Sequence, residues 1–270
     1  MVTGMTGDRA RSALAGTRFA DVRWVAETGS TNRDLLALAA DGAPDGVAIV
    51  ADHQTAGRGR LDRGWHAPPG GSLLLSVLVR PSGAGAEAAA APLVTTAVGV
   101  SAVDACAEVA GVTPGLKWPN DLVVEMPDRS TRKLGGILAE SIVRDGRLDA
   151  IVVGLGLNVD WPIDIPDDLA GIAIALNHVA PDGSVDREDL LVALLRRLDG
   201  WLDASPEDLL TAARSRSATL GRTVRVELGD EVFEGRADRL ADDGSLVVVT
   251  ADGTTREVVV GDVVHLRRVD

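Results

Sequence analysis

The sequence predicts an α+β fold, in which a domain with a mixed or antiparallel sheet and flanking helices is followed by a small SH3-like β-barrel. Three observations predict it. Short apolar runs of strand length alternate with helical patterns up to about residue 217. Beyond that point turns recur every 8 to 12 residues between short β-rich runs. Finally, 270 residues with 46% hydrophobic content can bury a sizeable core in one or two domains. The expected organisation is a flexible tail over 1–17, a larger domain over 18–217 and the barrel over 218–270.

The elements follow in order. Residues 1–17 are rich in Gly, Thr, Ala and Arg with no clear period, so they are expected to form a mobile tail. Val22 to Val25 fits a short strand. The Leu35, Leu36, Leu38 pattern predicts a helix that stops at Gly42, with Thr31 and Asp34 as its cap. Gly46–Ala51 and Ser72–Val79 (SLLLSVLV) are expected as buried strands. Ala86–Ala110, rich in Ala and Val, predicts a long buried helix. Leu116 to Trp118 is short and extended before Pro119. Gly135–Val143 and Ala150–Gly156 fit two strands around the Asp145-Gly146 turn. Leu190, Leu191, Leu194, Leu195 and Leu198 mark one face of a helix over 187–202. The runs 224–228, 232–240, 246–250, 256–260 and 263–267 make the barrel, with turns at Gly229-Asp230, Asp242-Asp243-Gly244, Asp252-Gly253 and Gly261-Asp262.

Composition excludes several functions. The chain has 27 basic and 40 acidic residues, a formal charge of −13. A general binder of nucleic acid or anionic membrane needs the opposite sign. An anionic ligand must therefore be met by a local basic cluster. The single cysteine, Cys106, permits no internal disulfide or multi-cysteine zinc site, and the four His at 53, 66, 178 and 265 are scattered. No metal site is expected from these residues. No uninterrupted apolar run reaches the roughly 18–20 residues of a membrane helix, and the N-terminus lacks a signal peptide's apolar stretch. A cytoplasmic location is the expectation.

Four segments carry candidate chemistry. His53 to Trp65 places Arg58, Arg60 and Arg63 among glycines. Glycines let backbone amides approach an anion, and Arg forks hold carboxylate or phosphate by two hydrogen bonds. A solvated surface loop is the alternative. In Lys117-Trp118-Pro119-Asn120-Asp121 the Lys could hold a phosphate and Asp121 a cation or nucleotide. The same residues also read as a strand end with an Asx turn. Arg132 to Glu140 has Gly135 and Gly136 inside an apolar strand, which suggests close approach of a ligand or merely a bulge beside a surface Lys133. Val153 to Val159 has spaced glycines but no third Gly and no following helix, so it is not a dinucleotide fingerprint. Ser30-Thr31-Asn32 fits a helix cap that could also serve a ureido-type or anionic ligand.

In this order the motifs GRGRLDRGW (57–65), KWPND (117–121), KLGGIL (133–138) and GLGLNV (154–159) resemble the biotin protein ligases over nearly the whole chain. GDVVHLR at 261–267 is similar to the close of that family's small barrel. The resemblance implies a class II synthetase-like mixed sheet and a two-step reaction. Biotin and ATP give biotinyl-5′-AMP and pyrophosphate, with Mg2+; a lysine of a carrier domain then takes the acyl group. Both first-step reactants are anions, so positive charge and positioning matter more than an acid–base pair.

By the same resemblance Ser30, Thr31, Asn32, Gln54, Gly57, Arg58, Gly59, Arg60, Lys133, Gly135 and Gly136 would form the biotin pocket. Lys133 and Arg60 would be catalytic, neutralising the carboxylate and α-phosphate. Arg63, Trp65, Lys117, Asn120 and Asn158 would meet the nucleotide, Trp65 by stacking. Gly135 and Gly136 would leave room for the bicyclic ring. The Gly-Arg loop is expected to be disordered without ligand and to close over the adenylate.

The implied partner is the biotin carboxyl carrier domain of a biotin-dependent carboxylase. The protein is expected to be a monomer or weak homodimer, with no nucleic-acid or membrane partner. Some family members carry an N-terminal DNA-binding module. About 20 residues before Trp24 are too few for one, and a ligase without DNA-binding activity is expected. Two rival functions remain open: a lipoate or octanoate ligase of the same fold, and a non-enzymatic nucleotide-binding interaction protein.

Overall fold

A computed structural model describes residues 7–61, 63–81, 90–165, 167–228, 231–259 and 262–265. Seven strands form the larger sheet: β1 (Val22–Thr28), β2 (Ala48–Gln54), β3 (Ser72–Val79), β4 (Gly115–Lys117), β5 (Asp121–Glu125), β6 (Thr131–Arg144) and β7 (Arg147–Asn158). Their spatial order is β1-β2-β3-β7-β6-β5-β4. Only the β1–β2 pair is parallel; every other neighbouring pair in this sheet is antiparallel. The mixed sheet expected from the sequence is therefore present.

Helices cover both faces. On one side α2 (Thr31–Ala40) buries Leu35 and Ala39 against Val47, Ile49, Leu78, Ala150 and Val152. On the other, α3 (Ala90–Ala110) and α5 (Arg187–Asp203) pack over Leu73, Leu75, Val153, Leu155 and Leu157. The α3 sequence is long and apolar enough to cross a membrane by length and composition alone, with a mean hydropathy of 1.5 over Ala91–Ala110. A helix that is apolar all round also suits a position in the core, and Val98, Val100, Ala102, Val103 and Cys106 are buried there. The β6–β7 hairpin turns at Asp145 and Gly146, both with positive φ, where the sequence expects it.

A shorter α4 (Asp167–Ala170) precedes α5, and α6 (Pro206–Ser215) follows it. Five further strands then build the C-terminal sheet: β8 (Thr223–Leu228), β9 (Glu231–Leu240), β10 (Leu246–Val249), β11 (Thr255–Val258) and β12 (Asp262–His265). Their order is β11-β10-β9-β8-β12, all antiparallel, as a small SH3-like unit requires. The sheet is fastened to the first domain by Trp118, whose Nε1 donates to the Gly244 carbonyl at 3.1 Å, and by the Arg222–Glu125 ion pair. Residues 86–89 of the expected long helix lie outside the described residues. So do the turn residues Gly229, Asp230 and Gly261, and Leu266 and Arg267 of the final motif.

Three expectations need correction. The expected tail over 1–17 instead contains α1 (Asp8–Leu14), with Ala10 and Leu14 fully buried. Arg9 binds Asp186, Glu188 and Asp189 at the start of α5, and the Ala10 amide donates to Glu188 at 2.8 Å. Tertiary contacts hold a helix too short to persist alone. Thr31 and Asp34 do not cap α2. Ser30 occupies the N-cap position without a side-chain cap bond, while Asp34 instead accepts from Thr28 Oγ1 at 2.5 Å. Gln54 on β2 takes the free Thr31 amide at 2.7 Å, which removes the need for a local cap. Finally, β4 ends at Lys117 and a turn follows at 118–120 as the strand-end reading expects, but Asp121 then opens β5, a strand not expected from the sequence.

Candidate active site

The site forms where β1, β2, β6 and β7 end and the 55–65 loop crosses them. Strand β7 shows how the sequence makes room. Ile151, Val153, Leu155 and Leu157 alternate into the core, while Ala150 and Val152 on the opposite face meet α2. Beyond them that second face continues as Gly154, Gly156 and Asn158, and apolar side chains give way to empty space. A Cβ at Gly154 would lie 2.3 Å from Asn32 Oδ1, and one at Gly156 would lie 2.4 Å from Trp65 Cε2. Neither glycine can be replaced without displacing a neighbour. The result is a cavity of about 850 Å³ over the sheet.

Its inner floor is polar and buried. Ser30, Thr31 and Asn32 are each less than 5% exposed, and Ser76, fully buried behind them, supports the floor without lining the cavity. Gln54 Oε1 accepts from the Thr31 amide at 2.7 Å and from Thr31 Oγ1 at 3.0 Å. Ser76 Oγ lies 2.7 Å from Thr31 Oγ1 and 2.6 Å from Asn32 Oδ1. One hydroxyl proton cannot serve both, so the floor retains acceptor capacity toward the cavity.

The outer part is basic. Arg58, Arg60, Arg63, Lys117 and Lys133 line the cavity with Asp121 as the one carboxylate. In a chain of charge −13 this is a strong local inversion. It favours an anionic ligand. Lys133 Nζ sits 2.7 Å from Asp121 Oδ1 and 5.5 Å from the centroid of the Trp65 ring. Arg60 donates to Asn120 Oδ1 at 3.1 Å, and Asn120 in turn donates to the Ile137 carbonyl at 2.8 Å. Arg58 binds Glu140 at 2.8 Å.

Two polar atoms here are buried without a hydrogen-bond partner: Trp65 Nε1 and Asn158 Oδ1. Both residues line the cavity. An orphaned donor or acceptor costs about 1–3 kcal/mol, so each calls for a ligand atom of the complementary kind.

The 55–65 loop folds back on itself. It is a narrow hairpin, with an Arg58–Gly64 bridge and Trp65 N donating to the Gly57 carbonyl at 2.9 Å. These bonds and the contacts of Arg58 and Arg60 compensate the ordering entropy that the glycines impose. Asp62 lies outside the described residues.

Of the residues expected at the site, Ser30, Thr31, Asn32, Gln54, Arg58, Gly59, Arg60, Arg63, Trp65, Lys117, Asn120, Lys133, Gly136 and Asn158 line this one cavity. Gly57 and Gly135 do not. A Cβ at Gly57 would meet the Trp65 carbonyl at 2.4 Å, so this glycine serves the closure of the hairpin. Gly135 is buried between Leu122 and Leu157, on the face of β6 away from the cavity, and leaves no room for a ring. Ser76 and Glu140 do not line the cavity but bind residues that do, and sequence reasoning assigned neither a role, because each sits inside an apolar strand.

Comparison with known proteins decides the family. Residues 24–158 match the biotin/lipoate A/B protein ligase family, and residues 219–266 match the biotin protein ligase C terminal domain. The chain belongs to this family. It is 41% identical to the biotin–[acetyl-CoA-carboxylase] ligase of Mycobacterium tuberculosis, over 96% of this chain and 94% of that protein. The bifunctional ligase/repressor BirA of Bacillus subtilis is 31% identical over 83% of this chain and 68% of its own length. Among solved structures, the biotin protein ligase of Aquifex aeolicus in complex with biotin and ATP superposes with a TM-score of 0.76 at 28% identity, covering 93% of this chain and all of that one.

Proposed function

We propose that this protein is an ATP-dependent biotin–protein ligase, which activates biotin as biotinyl-5′-AMP and passes it to a lysine of a carboxylase carrier domain. The observation that carries this reading is a single cavity with two chemically distinct halves. The Ser30–Asn32 and Gln54 cluster, backed by buried Ser76, suits a neutral ring with hydrogen-bonding groups on both sides, as biotin's ureido ring has. The basic half suits a carboxylate meeting a triphosphate.

In the first step a biotin carboxylate oxygen bonds to the α-phosphorus of ATP, and the bond from that phosphorus to the bridging oxygen breaks to release pyrophosphate. Both reactants are negative. Lys133 and Arg60 reduce that repulsion and hold the reacting oxygens near one another, a preorganised electrostatic role. Lys133 is already placed between Asp121 and the Trp65 ring, so an arriving anion exchanges one partner for another instead of meeting a free ammonium. In the second step the carrier lysine's neutral amine attacks the acyl carbon, loses its proton and expels AMP. The hairpin over the cavity limits the access of water to the mixed anhydride meanwhile.

On the nucleotide side, Trp65 offers its ring face and its orphaned Nε1, Asn158 its orphaned Oδ1, and Arg63 and Lys117 positive charge. Among the described residues no group of three or more His, Cys, Asp or Glu could hold a metal ion. Magnesium in such sites commonly rides on substrate phosphates with one or two carboxylates, and Asp121 is the lining side chain able to assist. The acceptor is the carrier domain of a biotin-dependent carboxylase, the ligase works as a monomer or weak homodimer, and the compartment is the cytoplasm.

Thermal denaturation with candidate ligands tests the reading. Biotin at 100 times its dissociation constant adds about 2.7 kcal/mol to stability and raises Tm accordingly. Lipoate at the same concentration leaves Tm unchanged. A rise with lipoate and none with biotin would contradict the proposal.

A further inference from the structure

Glu140 lies on β6 just beyond the KLGGIL motif and outside the ring of cavity-lining side chains, yet its two carboxylate oxygens reach two residues that do line it. Oε1 accepts from Arg58 at 2.8 Å and Oε2 accepts from Asn32 Nδ2 at 2.9 Å. The Glu140 side chain is 21% exposed and that of Arg58 is 40% exposed. A lone surface ion pair of that kind contributes little, about 0–1 kcal/mol. The Asn32 contact is different, because Asn32 is only 4% exposed.

The amide of Asn32 has its orientation fixed by chemistry. Nδ2 has two protons, and they go to the Leu138 carbonyl at 3.2 Å and to Glu140. Both of those partners are pure acceptors. A flipped amide would set Oδ1 against a carbonyl and a carboxylate, with a repulsive contact at each. The flip is therefore forbidden while Glu140 is ionised and in place. Oδ1 stays over Gly154, beside Ser76 Oγ at 2.6 Å, as an acceptor at the cavity floor. Through its other oxygen the same carboxylate draws Arg58, and with it the hairpin, against β6.

We propose that Glu140 is a positioning residue for the acyl-substrate half of the site. It presents Asn32 Oδ1 as an acceptor for a ring N–H and fastens the Arg58 hairpin over that ring. This rests on the ligase reading above, and it names a residue outside the cavity-lining motifs, Glu140, as the one that orients Asn32 within them. Glu140 touches neither reactant, so it acts through Asn32 and Arg58 on binding and not on the chemical step.

Steady-state kinetics of biotin transfer separate these roles. Glu140→Ala raises the KM for biotin by about tenfold or more, raises the KM for ATP by a smaller factor through the loosened hairpin, and keeps kcat within about threefold. Glu140→Gln, which matches the shape and keeps one acceptor oxygen, recovers part of the loss. Arg58→Ala and Asn32→Ala are each less harmful in the Glu140→Ala background than in the wild type, because both act through the lost carboxylate. Limited proteolysis of the ligand-free protein cuts the 55–65 hairpin faster in Glu140→Ala, a readout that needs no substrate.

A lowered Tm with an unchanged biotin KM would overturn the proposal and leave Glu140 a structural residue. So would fold-effects that simply multiply with those of Arg58→Ala and Asn32→Ala, or equal cleavage of the hairpin in both proteins. A wild type that transfers no biotin at all would instead overturn the ligase reading, and the proteolysis result separates the two failures.

Discussion

Strand β7 has two faces, and they obey different rules. On one, Ile151, Val153, Leu155 and Leu157 enter the core and are each no more than 2% exposed. On the other, Ala150 and Val152 meet α2, and the strand then switches to Gly154, Gly156 and Asn158. The first face is filled for stability. The second is emptied so that Asn32 and Trp65 can come within contact of the backbone, and it leaves Asn158 Oδ1 buried without a partner. A strand can thus spend half its length on function while the other half of its side chains still holds the sheet together.

Substitutions that cross this divide give the largest effects. Gly156→Val places branched carbons where Trp65 sits, and misplacement at a reacting centre costs about a hundredfold or more in rate. Biotin-transfer activity falls by at least that much, while Tm changes little beside it. Leu157→Ala on the opposite face does the reverse. It costs about 2–5 kcal/mol by leaving a cavity in the core, and a urea titration reads that loss, while activity per folded molecule is retained. If Gly156→Val unfolded the protein and Leu157→Ala abolished activity without loss of stability, the two-face distinction would fail.

A smaller effect separates the site from the N-terminal helix. Asp186 caps α5 and binds Arg9 on α1. Burial pushes the Asp186 carboxyl up, but the amides of Asp189 and Glu188 and the Arg9 guanidinium outweigh it and hold the group below the usual carboxylate range. Its folded pKa is thus below the unfolded value of about 3.9, so the stabilisation is complete above that pH and disappears as pH falls through the folded pKa. Asp186→Ala costs about 1 kcal/mol at pH 7, discounted for solvent exposure, and less at pH 2. Chemical denaturation at the two pH values checks this, and catalysis at pH 7 is unaffected.

The smallest effect concerns Cys106. Burial in the core pushes its thiol up to about 12. It therefore resists alkylation at pH 8 in the native protein and reacts fully in denaturant. Rapid native labelling at pH 8 would show that α3 opens readily.

Which parts were legible in the sequence follows the same physics. Strands and helices with a clean period were readable: Ser72–Val79 appears with the bounds expected, and α5 extends the expected range by one residue. Tertiary contacts made the exceptions. The α1 helix depends on acceptors at Asp186 to Asp189, far along the chain. Strand β5 begins in a Pro-Asn-Asp segment that reads locally as a turn. Although Ser205 caps α6 in a Ser-Pro-Glu-Asp start, that helix received no assignment.

At the site, basic and glycine-rich motifs announced themselves because they are unusual in an acidic, apolar context. Gly135 misled, since sequence alone does not say which face of a strand a glycine serves. Ser76 and Glu140 were invisible because their roles depend on which strands lie side by side.

The measurement that tests the account most directly is ATP-dependent transfer of radiolabelled biotin to a carrier domain, run with the wild type and with Lys133→Ala. The account predicts labelling that requires ATP and falls at least about tenfold in the variant. Labelling with lipoate in place of biotin, or biotin transfer that survives the loss of Lys133 undiminished, would contradict it.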